Sequence, residues 1–518
     1  MNCYLGIDVG QQGAKAALHR ADGTLLAEAT RSHAIHFPRP GWAEIEPEDM
    51  LDGVVEAIAE VVRNAGIDPA DVRAIAASGF ICTTLLVGAD GRAVAPCLPA
   101  IDQRATVERD EVRALLADAW IDQSGSSTVD CYEMPVALRW IARHRPEWLD
   151  KAARLLPPAV YVTCRLADLD AEHSYIEPTQ LSGWIFGFDA ATRGYAHAQL
   201  DALDVPRRLL PRIVECGDIV GHLSEAMAAR TGLRAGTPLA AGAGDIQQSA
   251  LAAGLTEPGC AVDIAGTSSL FCVGVDGINP QLARTPGLLN MLSTLPGQSF
   301  YFGYSLTGGL ALRWFRDEVC ERRDEPLFYA ELDRLAEPVR PGADGVLFFP
   351  YLGGYGPELP GASGTFIGLA GGLGRAHMWR AVLESIAFEY RLFTEQFRAA
   401  GVQIRHASVV GGGAVSPVWN RIKADVAGLP WQTLTRNDGA TLADAALAML
   451  AVGDTDDLAG TVARWSRVQQ RHQPDPAAQA VYAQLARLRG TMVHGPLKDA
   501  YAQSLQARRI SLGQEQPA

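Results

Sequence analysis

Residues 3–12, which read CYLGIDVGQQ, form an apolar run that contains Asp8 and ends in a loop of small and polar residues. A short apolar run that ends at a turn signal is typical of a buried strand. Residues 262–268 (VDIAGTS) repeat the pattern of residues 7–12 (IDVGQQ). The sequence therefore predicts two halves of related topology, each opened by a strand, a loop and a second strand.

The rest of the chain alternates predicted strands and helices, which is the pattern of an α/β fold. Further strands are predicted at residues 14–19, 24–27, 72–77 and 407–410, and helices from Pro47 and over 417–427, 442–452 and 477–488. Turn formers at residues 234–238 (RAGTP) follow a helical pattern and predict a domain boundary. The predicted domains are residues 1–238 and 239–490, followed by a frayed polar tail at 491–518.

The composition is that of a folded, water-soluble protein of several domains. The chain has 518 residues, of which 48% are hydrophobic and 20% charged, and a formal net charge of -14. Scattered negative charge argues against nucleic acid or an anionic membrane as a partner. No apolar run approaches the roughly 20 residues that span a bilayer, so neither a signal peptide nor an anchor is expected. Nine cysteines without C-x-x-C spacing indicate reduced core thiols and a cytoplasmic location.

Three small-residue loops, each after a predicted buried strand, are candidates for binding phosphate. They lie at residues 10–13, 266–269 and 411–413. Backbone N–H groups in such loops can approach a phosphate closely. One such loop is more often a tight turn, and the Walker A and G-x-G-x-x-G spacings are absent. Three loops in a repeated context nevertheless favour a nucleotide.

Asp8 and Asp245 are the candidate acids of the site. Asp8 stands near the end of a predicted strand, and Asp245 follows residues 242–244 (GAG). Either carboxylate is suited to bind a hydrated Mg²⁺ ion or to accept a proton. An isolated aspartate in a glycine turn is often only a turn former, so the assignment depends on the surrounding sequence.

Seven motifs in a fixed order resemble the FGGY family of carbohydrate kinases, most of all its xylulokinase-like members. They are residues 6–10 with Lys15, 41–44 with Pro47, 102–104, the region of Trp140 and His144, 242–245, 266–268, and 411–414 with Ser416. The resemblance covers nearly the whole chain. It implies an α/β fold of two actin-like (ribonuclease-H-like) domains with an interdomain catalytic cleft. The N-terminal domain would lie on the sugar side and the C-terminal domain on the nucleotide side.

The resemblance also implies ATP-dependent phosphorylation of a hydroxyl group of a sugar or polyol, with ATP and Mg²⁺ bound. It implies Asp245 as the catalytic base, and Asp8 and Asp245 as the Mg²⁺ ligands. The implied nucleotide- and phosphate-binding residues are Gly10, Gln11, Gln12, Lys15, Gly266, Thr267, Ser268, Gly308, Gly309, Gly411, Gly412, Gly413 and Ser416. The implied substrate-binding residues are Trp42, Ile81, Cys82, Asp102, Arg104 and Asp245.

Ordinary structural roles are also open to some of these residues. Trp42 is equally well explained by core packing. Arg104 has an ion pair with Asp102 as its alternative, and Lys15 has a solvated strand position.

The chain departs from the family's pattern in ways that bear on the substrate. Gln11 and Gln12 replace hydroxyl side chains, Ala137 stands where the family has a lysine, and residues 353–357 (GGYGP) replace a charged motif. Residues 80–82 (FIC) are apolar where relatives present polar groups to the acceptor. The acceptor is therefore open: a weak response to glycerol is expected, and an unusual ketose or polyol is as well supported as D-xylulose.

Two other functions are compatible with the sequence. A non-catalytic actin-like sensor of a sugar or nucleotide is favoured by Gln11 and the altered pocket, and a nucleotide hydrolase without a sugar acceptor is a third reading. The presence of Asp245 argues for the kinase. The expected partner is a small sugar or polyol, and a homodimer is considered.

Overall fold

The computed structural model describes residues 2–305, 307–355, 359–436 and 439–512, which group into two compact units. Unit 1 comprises Met1–Pro258, Val273–Phe302 and Arg436–Arg467, and unit 2 comprises Gly259–Cys272, Gly303–Thr435 and Val468–Ala518. The chain thus enters unit 1 three times, whereas the sequence suggests one boundary at residues 234–238. Turn formers mark local reversals of the chain and carry no information about segments that return to an earlier unit.

The strands and helices are numbered in chain order. The strands are β1 Cys3–Gly10, β2 Gly13–Arg20, β3 Leu25–Ser32, β4 Val72–Gly79, β5 Leu86–Val87, β6 Arg154–Leu155, β7 Tyr175–Ile176, β8 Phe188–Asp189, β9 Gly194–Tyr195, β10 Arg212–Ile213, β11 Ile219–His222, β12 Pro238–Ala240, β13 Ala243–Gly244, β14 Cys260–Ala265, β15 Ser269–Val275, β16 Leu288–Leu292, β17 Ser299–Ser305, β18 Leu347–Phe349, β19 Thr365–Ile367, β20 His406–Gly411, β21 Trp431–Leu434 and β22 Val468–His472. The α-helices are α1 Pro47–Ala65, α2 Thr106–Leu115, α3 Asp118–Ser124, α4 Met134–His144, α5 Pro146–Lys151, α6 Pro158–Ala167, α7 Pro178–Ser182, α8 His197–Ala202, α9 Glu225–Thr231, α10 Asp245–Ala252, α11 Pro280–Ala283, α12 Gly309–Trp314, α13 Phe328–Ala336, α14 Arg375–Ala399, α15 Pro417–Ala427, α16 Ala440–Ala451, α17 Leu458–Trp465, α18 Pro476–His494 and α19 Pro496–Ser511.

Unit 1 is built on a sheet with the strand order β11-β12-β4-β1-β2-β3, in which β13 also pairs with β4. Strand β1 pairs antiparallel with β2 and parallel with β4. It is buried along most of its length because α1 packs on β2 and β3 while α16 packs on β1 and β4. Pro47 begins α1, as the sequence predicts, and its fixed φ suits the first turn of a helix.

Gly6 allows α16 to lie directly against β1. A Cβ atom at Gly6 would collide with the backbone carbonyl oxygen of Thr441 in α16. The close approach brings Asp444, one turn further along α16, within hydrogen-bonding distance of Ser78 in β4. A late segment of the chain is thereby part of the sheet's packing.

In unit 2 the strands follow the order β15-β14-β20-β21-β22. The β14-β20 and β20-β21 pairs are parallel, and β22 is antiparallel to β21. The helix α14, of 25 residues, packs on α15 and on β18. Strands β14 and β15 confirm the strand-loop-strand predicted around residues 262–268, and α15 confirms the helix predicted over 417–427.

The C-terminal region is helical to residue 511, so the expectation of a frayed polar tail does not hold for residues 496–511. In α19, Leu497 and Tyr501 are buried in an apolar cluster that includes Phe349. These two residues are four positions apart and therefore share one helix face. The polar residues between and after them conceal this short stripe in the sequence. Residues 513–518 lie outside the described residues.

All nine cysteines are free thiols, and Cys320 is the one that is not fully buried. This is in line with the prediction of reduced core residues. Across the described ranges, no helix combines the length and the apolarity needed to cross a bilayer.

Candidate functional site

Strand register brings two aspartates of unit 1 to one end of its sheet. Asp8 in β1 lies opposite Ser78 in β4, and Ala243 in β13 pairs with Ser78 from the other side. Asp245 follows β13 directly as the first residue of α10. Because β1 and β13 both run parallel to β4, the residues at their C-terminal ends lie at the same end of the sheet. Asp8 is close enough for its charge to raise the pKa of Asp245.

The turn before Asp245 requires a glycine at position 242. Gly242 has a φ of 89°, and a Cβ atom there would collide with the carbonyl oxygen of Ala77 in β4. Other residues rarely adopt this left-handed conformation. The glycines that the sequence analysis singles out are therefore needed to bring Asp245 back against the sheet.

Asp8 and Asp245 are both half-buried acids. Burial raises the pKa of Asp8 to about 6, an effect that the charge of Lys15 partly opposes. Burial and the charge of Asp8 together raise the pKa of Asp245 to about 7. The N–H of Ile246 donates to Asp245 Oδ1 at 2.8 Å and orients the carboxylate. A carboxylate with a pKa near neutrality is a better proton acceptor than an ordinary aspartate.

Asp444 is a third buried acid in this region, and the sequence analysis does not identify it. Ser78 Oγ donates to Asp444 Oδ2 at 2.7 Å, and Gln248 Nε2 donates to Oδ1 at 2.8 Å. Burial raises the pKa of Asp444 well above its usual value, and the charges of Asp8 and Asp245 add to this effect. Asp444 of α16 therefore joins this helix to β4 and α10, the elements next to the two candidate acids.

The predicted phosphate residues of unit 1 lie in and after the loop between β1 and β2. Gln11 and Gln12 form this loop directly after Gly10, the last residue of β1, and both have solvent-accessible surface. Lys15 in β2 lies opposite Asp8 in β1, and its ammonium group pairs with Glu28 at 2.7 Å. In the structure, Lys15 thus forms its ion pair with Glu28 of the neighbouring strand β3.

The predicted substrate residues around Trp42 form one connected cluster. The Arg104 guanidinium lies 4.3 Å from the ring centre of Trp42 and 5.0 Å from that of Trp140. Its Nε donates to both oxygens of Asp102 at 2.9 Å, and Asp102 Oδ2 also accepts the N–H of Ala43 at 2.7 Å. The ion-pair alternative for Arg104 is therefore present. Arg104 Nη1 is buried and has no hydrogen-bond partner among the described residues.

Residues 80–82 are buried, as expected for an apolar wall. The β-carbon of Ile81 packs closely on Gly183. Cys82 has a φ of 59°, in the left-handed region that non-glycine residues seldom occupy. The charges of Glu133 and Asp245 both contribute to raising the pKa of the Cys82 thiol, although burial is the main cause. The predicted wall is thus adjacent to Asp245.

Unit 2 contains a cavity of about 270 Å³ with an apolar floor. Leu312, Leu383, Val415 and Trp419 supply apolar surface to its lining. The predicted nucleotide-binding residues in the lining are Gly266, Thr267, Gly309, Gly412, Gly413 and Ser416, whereas Ser268, Gly308 and Gly411 are outside it. An apolar cavity edged by backbone-rich loops suits a flat base with a phosphate chain.

The loops at the cavity are held by hydrogen bonds within unit 2. Gly309 N–H donates to the carbonyl of Gly266 at 2.8 Å, and Arg313 Nη2 donates to Thr267 Oγ1 at 2.9 Å. Gly266, Thr267 and Ser268 remain exposed to solvent. Ser416 caps α15 by accepting the N–H of Trp419 at 3.0 Å. The loop at 266–268 is therefore held within unit 2 and is exposed to solvent, where a ligand can reach it.

A buried ion pair lies beside this cavity. Lys423 Nζ donates to Asp263 Oδ2 at 2.6 Å, and the hydroxyl of Tyr390 donates to Oδ1 at 2.6 Å. The side chains of Lys423 and Asp263 are both 0% exposed. Lys423 Nζ also lies 3.8 Å from the ring centre of Trp419, which lines the cavity. The two residues are 160 positions apart, so no local sequence pattern indicates this pair.

The acids of unit 1 suit a magnesium ion that also binds phosphate. Asp8 Oδ1 is buried and has no hydrogen-bond partner among the described residues. In the parts of the chain that the structure describes, no group of three His, Cys, Asp or Glu side chains could hold a metal ion. Mg²⁺ commonly takes one or two carboxylates and completes its shell with water and substrate phosphates. Asp8 and Asp245 fit that donor set.

Comparison with known proteins gives a consistent result along the whole chain. The model of the N-terminal domain of the FGGY family of carbohydrate kinases matches residues 3–252, and that of the C-terminal domain matches residues 261–452. The xylulose kinase of Bacillus subtilis is 27% identical over 460 residues, which cover 88% of this chain and 89% of the relative. The glycerol kinase of Aromatoleum aromaticum is 27% identical over 497 residues, covering 94% and 98%. The crystal structure of xylulose kinase from Rhodospirillum rubrum is similar with a TM-score of 0.84 at 28% identity, covering 96% of this chain and all of the other.

Proposed function

Because the chain belongs to the FGGY family of carbohydrate kinases, we propose that it transfers the γ-phosphoryl group of ATP to a hydroxyl of a sugar or polyol, with Asp245 as the base. The observation that carries the assignment of Asp245 is its environment. It is a half-buried acid beside Asp8, with a pKa of about 7. Such a group accepts the proton of an attacking hydroxyl more readily than a solvated aspartate does.

Asp245 acts on the acceptor, and the remaining requirements are alignment and charge neutralisation. Phosphoryl transfer needs little covalent help from the protein but strict positioning of the two oxygens in line. The hydrogen bond from Ile246 N–H fixes Asp245 Oδ1 and leaves the second oxygen to face the substrate hydroxyl. Asp444 accepts hydrogen bonds from Ser78 in β4 and Gln248 in α10, and so ties β4 to the helix that begins with Asp245.

We assign ATP to the cavity of unit 2. The adenosine would lie on the apolar surface that includes Leu383 and Trp419, and the phosphates would meet the loops at residues 266–268 and 411–413. Asp8 and Asp245 would hold the Mg²⁺ ion that accompanies ATP, and this ion would neutralise charge on the transferring phosphoryl group. Lys15 and the amides of Gln11 and Gln12 are proposed as further phosphate contacts from unit 1.

The acceptor is proposed to lie against the cluster around Trp42. The ring of Trp42 offers a surface for the C–H face of a sugar, and the unpartnered Nη1 of Arg104 offers a buried donor for a hydroxyl. Asp102 is already saturated by Arg104 and by Ala43, so it orients Arg104. Relatives of similar identity are named for both xylulose and glycerol. The apolar residues 80–82 favour a ketose or polyol longer than glycerol.

A coupled assay of ADP release tests this proposal. The purified protein would be given ATP and Mg²⁺ with D-xylulose, D-fructose, erythritol or glycerol, and one reaction would lack an acceptor. A kinase releases ADP only when an acceptor is present, at rates that depend on which one is added. Acceptor-independent release would indicate a nucleotide hydrolase. Sugar or ATP binding without ADP release would indicate a non-catalytic sensor.

The nine free thiols support a proposal that the protein works in a reducing compartment such as the cytoplasm. Fractionation of cells that express the native chain tests this placement.

A further inference from the structure

Glu133 is a buried acid with one oxygen that accepts no hydrogen bond from the described residues. The residue is 0% exposed. Its Oε1 accepts the N–H of Asp130 at 3.0 Å, but Oε2 is buried and has no hydrogen-bond partner among the described residues. Buried carboxylate oxygens are normally paired, because leaving one unpaired is unfavourable. The oxygen is therefore available to a hydrogen-bond donor other than the described residues.

Local structure explains why none of the described residues donates a hydrogen bond to this oxygen. Glu133 is the residue before α4, where a side chain commonly accepts a hydrogen bond from the first turn, but it makes no such bond. Pro135 occupies the first turn and has no N–H to give. Arg113 is the cation whose charge acts on Glu133. Its guanidinium donates to the carbonyl of Val129 at 2.8 Å and lies 3.6 Å from Asp110.

Two observations place Glu133 near the proposed acceptor site, one at Cys82 and one along α4. Cys82 lies within the electrostatic reach of both Glu133 and Asp245. The helix that Glu133 precedes carries Trp140, whose ring centre lies 5.2 Å from that of Trp42. Glu133 thus lies near Cys82 of the apolar wall, and the helix that it precedes contacts the proposed sugar surface at Trp42.

We propose that Glu133 is a specificity-determining residue whose Oε2 accepts a hydrogen bond from a hydroxyl of the acceptor, other than the hydroxyl that is phosphorylated. This inference rests on the proposed function. It supplies the polar contact that residues 80–82 cannot make, and it predicts an acceptor with several hydroxyls. An ammonium group of an amino sugar is the other donor that a buried carboxylate would accept.

The test compares the wild type with Glu133→Gln and Glu133→Met, using D-xylulose, D-fructose, erythritol and glycerol and the monodeoxy analogues of the best acceptor. We expect the KM for that acceptor to rise about ten- to hundredfold in both variants, with the KM for ATP within twofold of wild type. One deoxy analogue should be rejected to a similar degree by the wild type but not by Glu133→Met. Glucosamine tests the ammonium alternative. If the wild type prefers glucosamine to glucose and Glu133→Gln loses this preference, Glu133 binds an ammonium group and the hydroxyl assignment is wrong.

Thermal unfolding separates this role from a structural one. Glu133→Gln keeps an oxygen for the N–H of Asp130 and removes a buried acid with one unpaired oxygen, so it should leave Tm unchanged or raise it. The matched control is Glu177→Gln, because Glu177 is equally buried but accepts hydrogen bonds from the N–H groups of Thr179 and Gln180, and this variant should lower Tm. An acceptor KM within twofold of wild type in both Glu133 variants would overturn the proposal. So would a Glu133→Gln variant that loses stability as Glu177→Gln does while discriminating the deoxy analogues like the wild type.

Failure of the proposed function would be distinguishable. If the wild type phosphorylates none of the acceptors, the kinase assignment fails, and the same sugars are then tested for raising Tm. A rise in the wild type that is absent in Glu133→Gln would still support binding at Glu133. No rise with any sugar would overturn this proposal as well.

Discussion

Asp8 and Asp263 occupy the same position in the two repeated strand-loop-strand segments, yet their surroundings are opposite. In unit 2, Asp263 has Lys423 on one oxygen and Tyr390 on the other, both at 2.6 Å. In unit 1, Asp8 Oδ1 has no partner among the described residues, and the nearby Lys15 pairs with Glu28. One charge is neutralised inside the protein, and the other is not.

The difference indicates which of the two acids serves a ligand. A buried carboxylate that is already paired with an ammonium group has little attraction left for a cation or a donor from solution. An unpaired acid near a second acid has a raised pKa and a free oxygen, which are the properties of a reactive site. The same backbone motif therefore serves packing in unit 2 and is available for chemistry in unit 1.

Removing the proposed base should have the largest effect on activity. Asp245→Asn preserves the shape of the side chain but cannot take up a proton, so we expect kcat to fall about 10²- to 10⁴-fold. The Kd for ATP should stay nearly unchanged, because the amide oxygen can still meet the Mg²⁺ ion. Steady-state kinetics and calorimetric titration measure the two quantities. Asp454→Asn is the control, because Asp454 bonds to Tyr4 and Arg73 instead of joining the acid group. A variant that keeps more than a tenth of wild-type kcat would exclude Asp245 as the base.

Breaking the internal pair of unit 2 should have the largest effect on stability. Lys423→Met leaves Asp263 buried without its cation, which we expect to lower the free energy of unfolding by about 3–5 kcal/mol. Urea denaturation measures this. Asp8→Asn should not destabilise the protein, since it removes a carboxylate with an unpaired oxygen. Equal losses of stability in the two variants would mean that Asp8 is paired within the protein as strongly as Asp263 is.

Obstructing the cavity of unit 2 should weaken nucleotide binding by a smaller amount. Gly412 lines the cavity, and a Cβ there meets only the carbonyl oxygen of Ala265 at 3.9 Å, so Gly412→Val should fold normally. We expect the Kd for ATP to rise about tenfold, or about 1.4 kcal/mol. Gly413→Ala is the contrast, because its Cβ would lie 2.5 Å from that of Ala265 and should lower Tm. An unchanged Kd in Gly412→Val, measured calorimetrically, would refute the assignment of ATP to this cavity.

The surface pair of unit 1 should matter least to stability. Lys15 and Glu28 are partly exposed, and such pairs contribute about 0–1 kcal/mol. Glu28→Gln should therefore change the free energy of unfolding by less than about 1 kcal/mol, as measured by urea denaturation. A loss as large as that expected for Lys423→Met would mean that the Lys15–Glu28 pair stabilises the protein as strongly as a buried ion pair does.

The parts of the molecule that depend on neighbouring residues are predictable from the sequence. Apolar runs and glycine loops predict β1, β14 and β20, and seven motifs in order predict the family and its α/β fold of two actin-like domains, which the comparisons confirm. The Asp245 turn is recognisable because its glycines are adjacent to it. The assigned roles of the individual site residues stay predictions.

The parts that depend on distant residues are not predictable in this way. Ser78 and Asp444 are 366 positions apart, and Asp263 and Lys423 are 160 apart. Nothing in the local sequence indicates that Lys423 faces an aspartate, or that the oxygen of Glu133 is left unpaired. Single-sequence patterns describe the partners available to a residue only within a helix turn or a strand.

The return of residues 436–467 to unit 1 has a consequence for the synthesis of the protein. Helix α16, which packs against β1 at Gly6, is translated after the first two strands of unit 2 and its long helix α14. At 5–20 residues per second, a ribosome needs roughly 10–40 s to make residues 259–467. During that time the face of β1 that α16 covers lacks this helix, and Ser78 lacks Asp444. The nascent chain therefore presents an apolar sheet face to chaperones and to other nascent chains until nearly the end of translation.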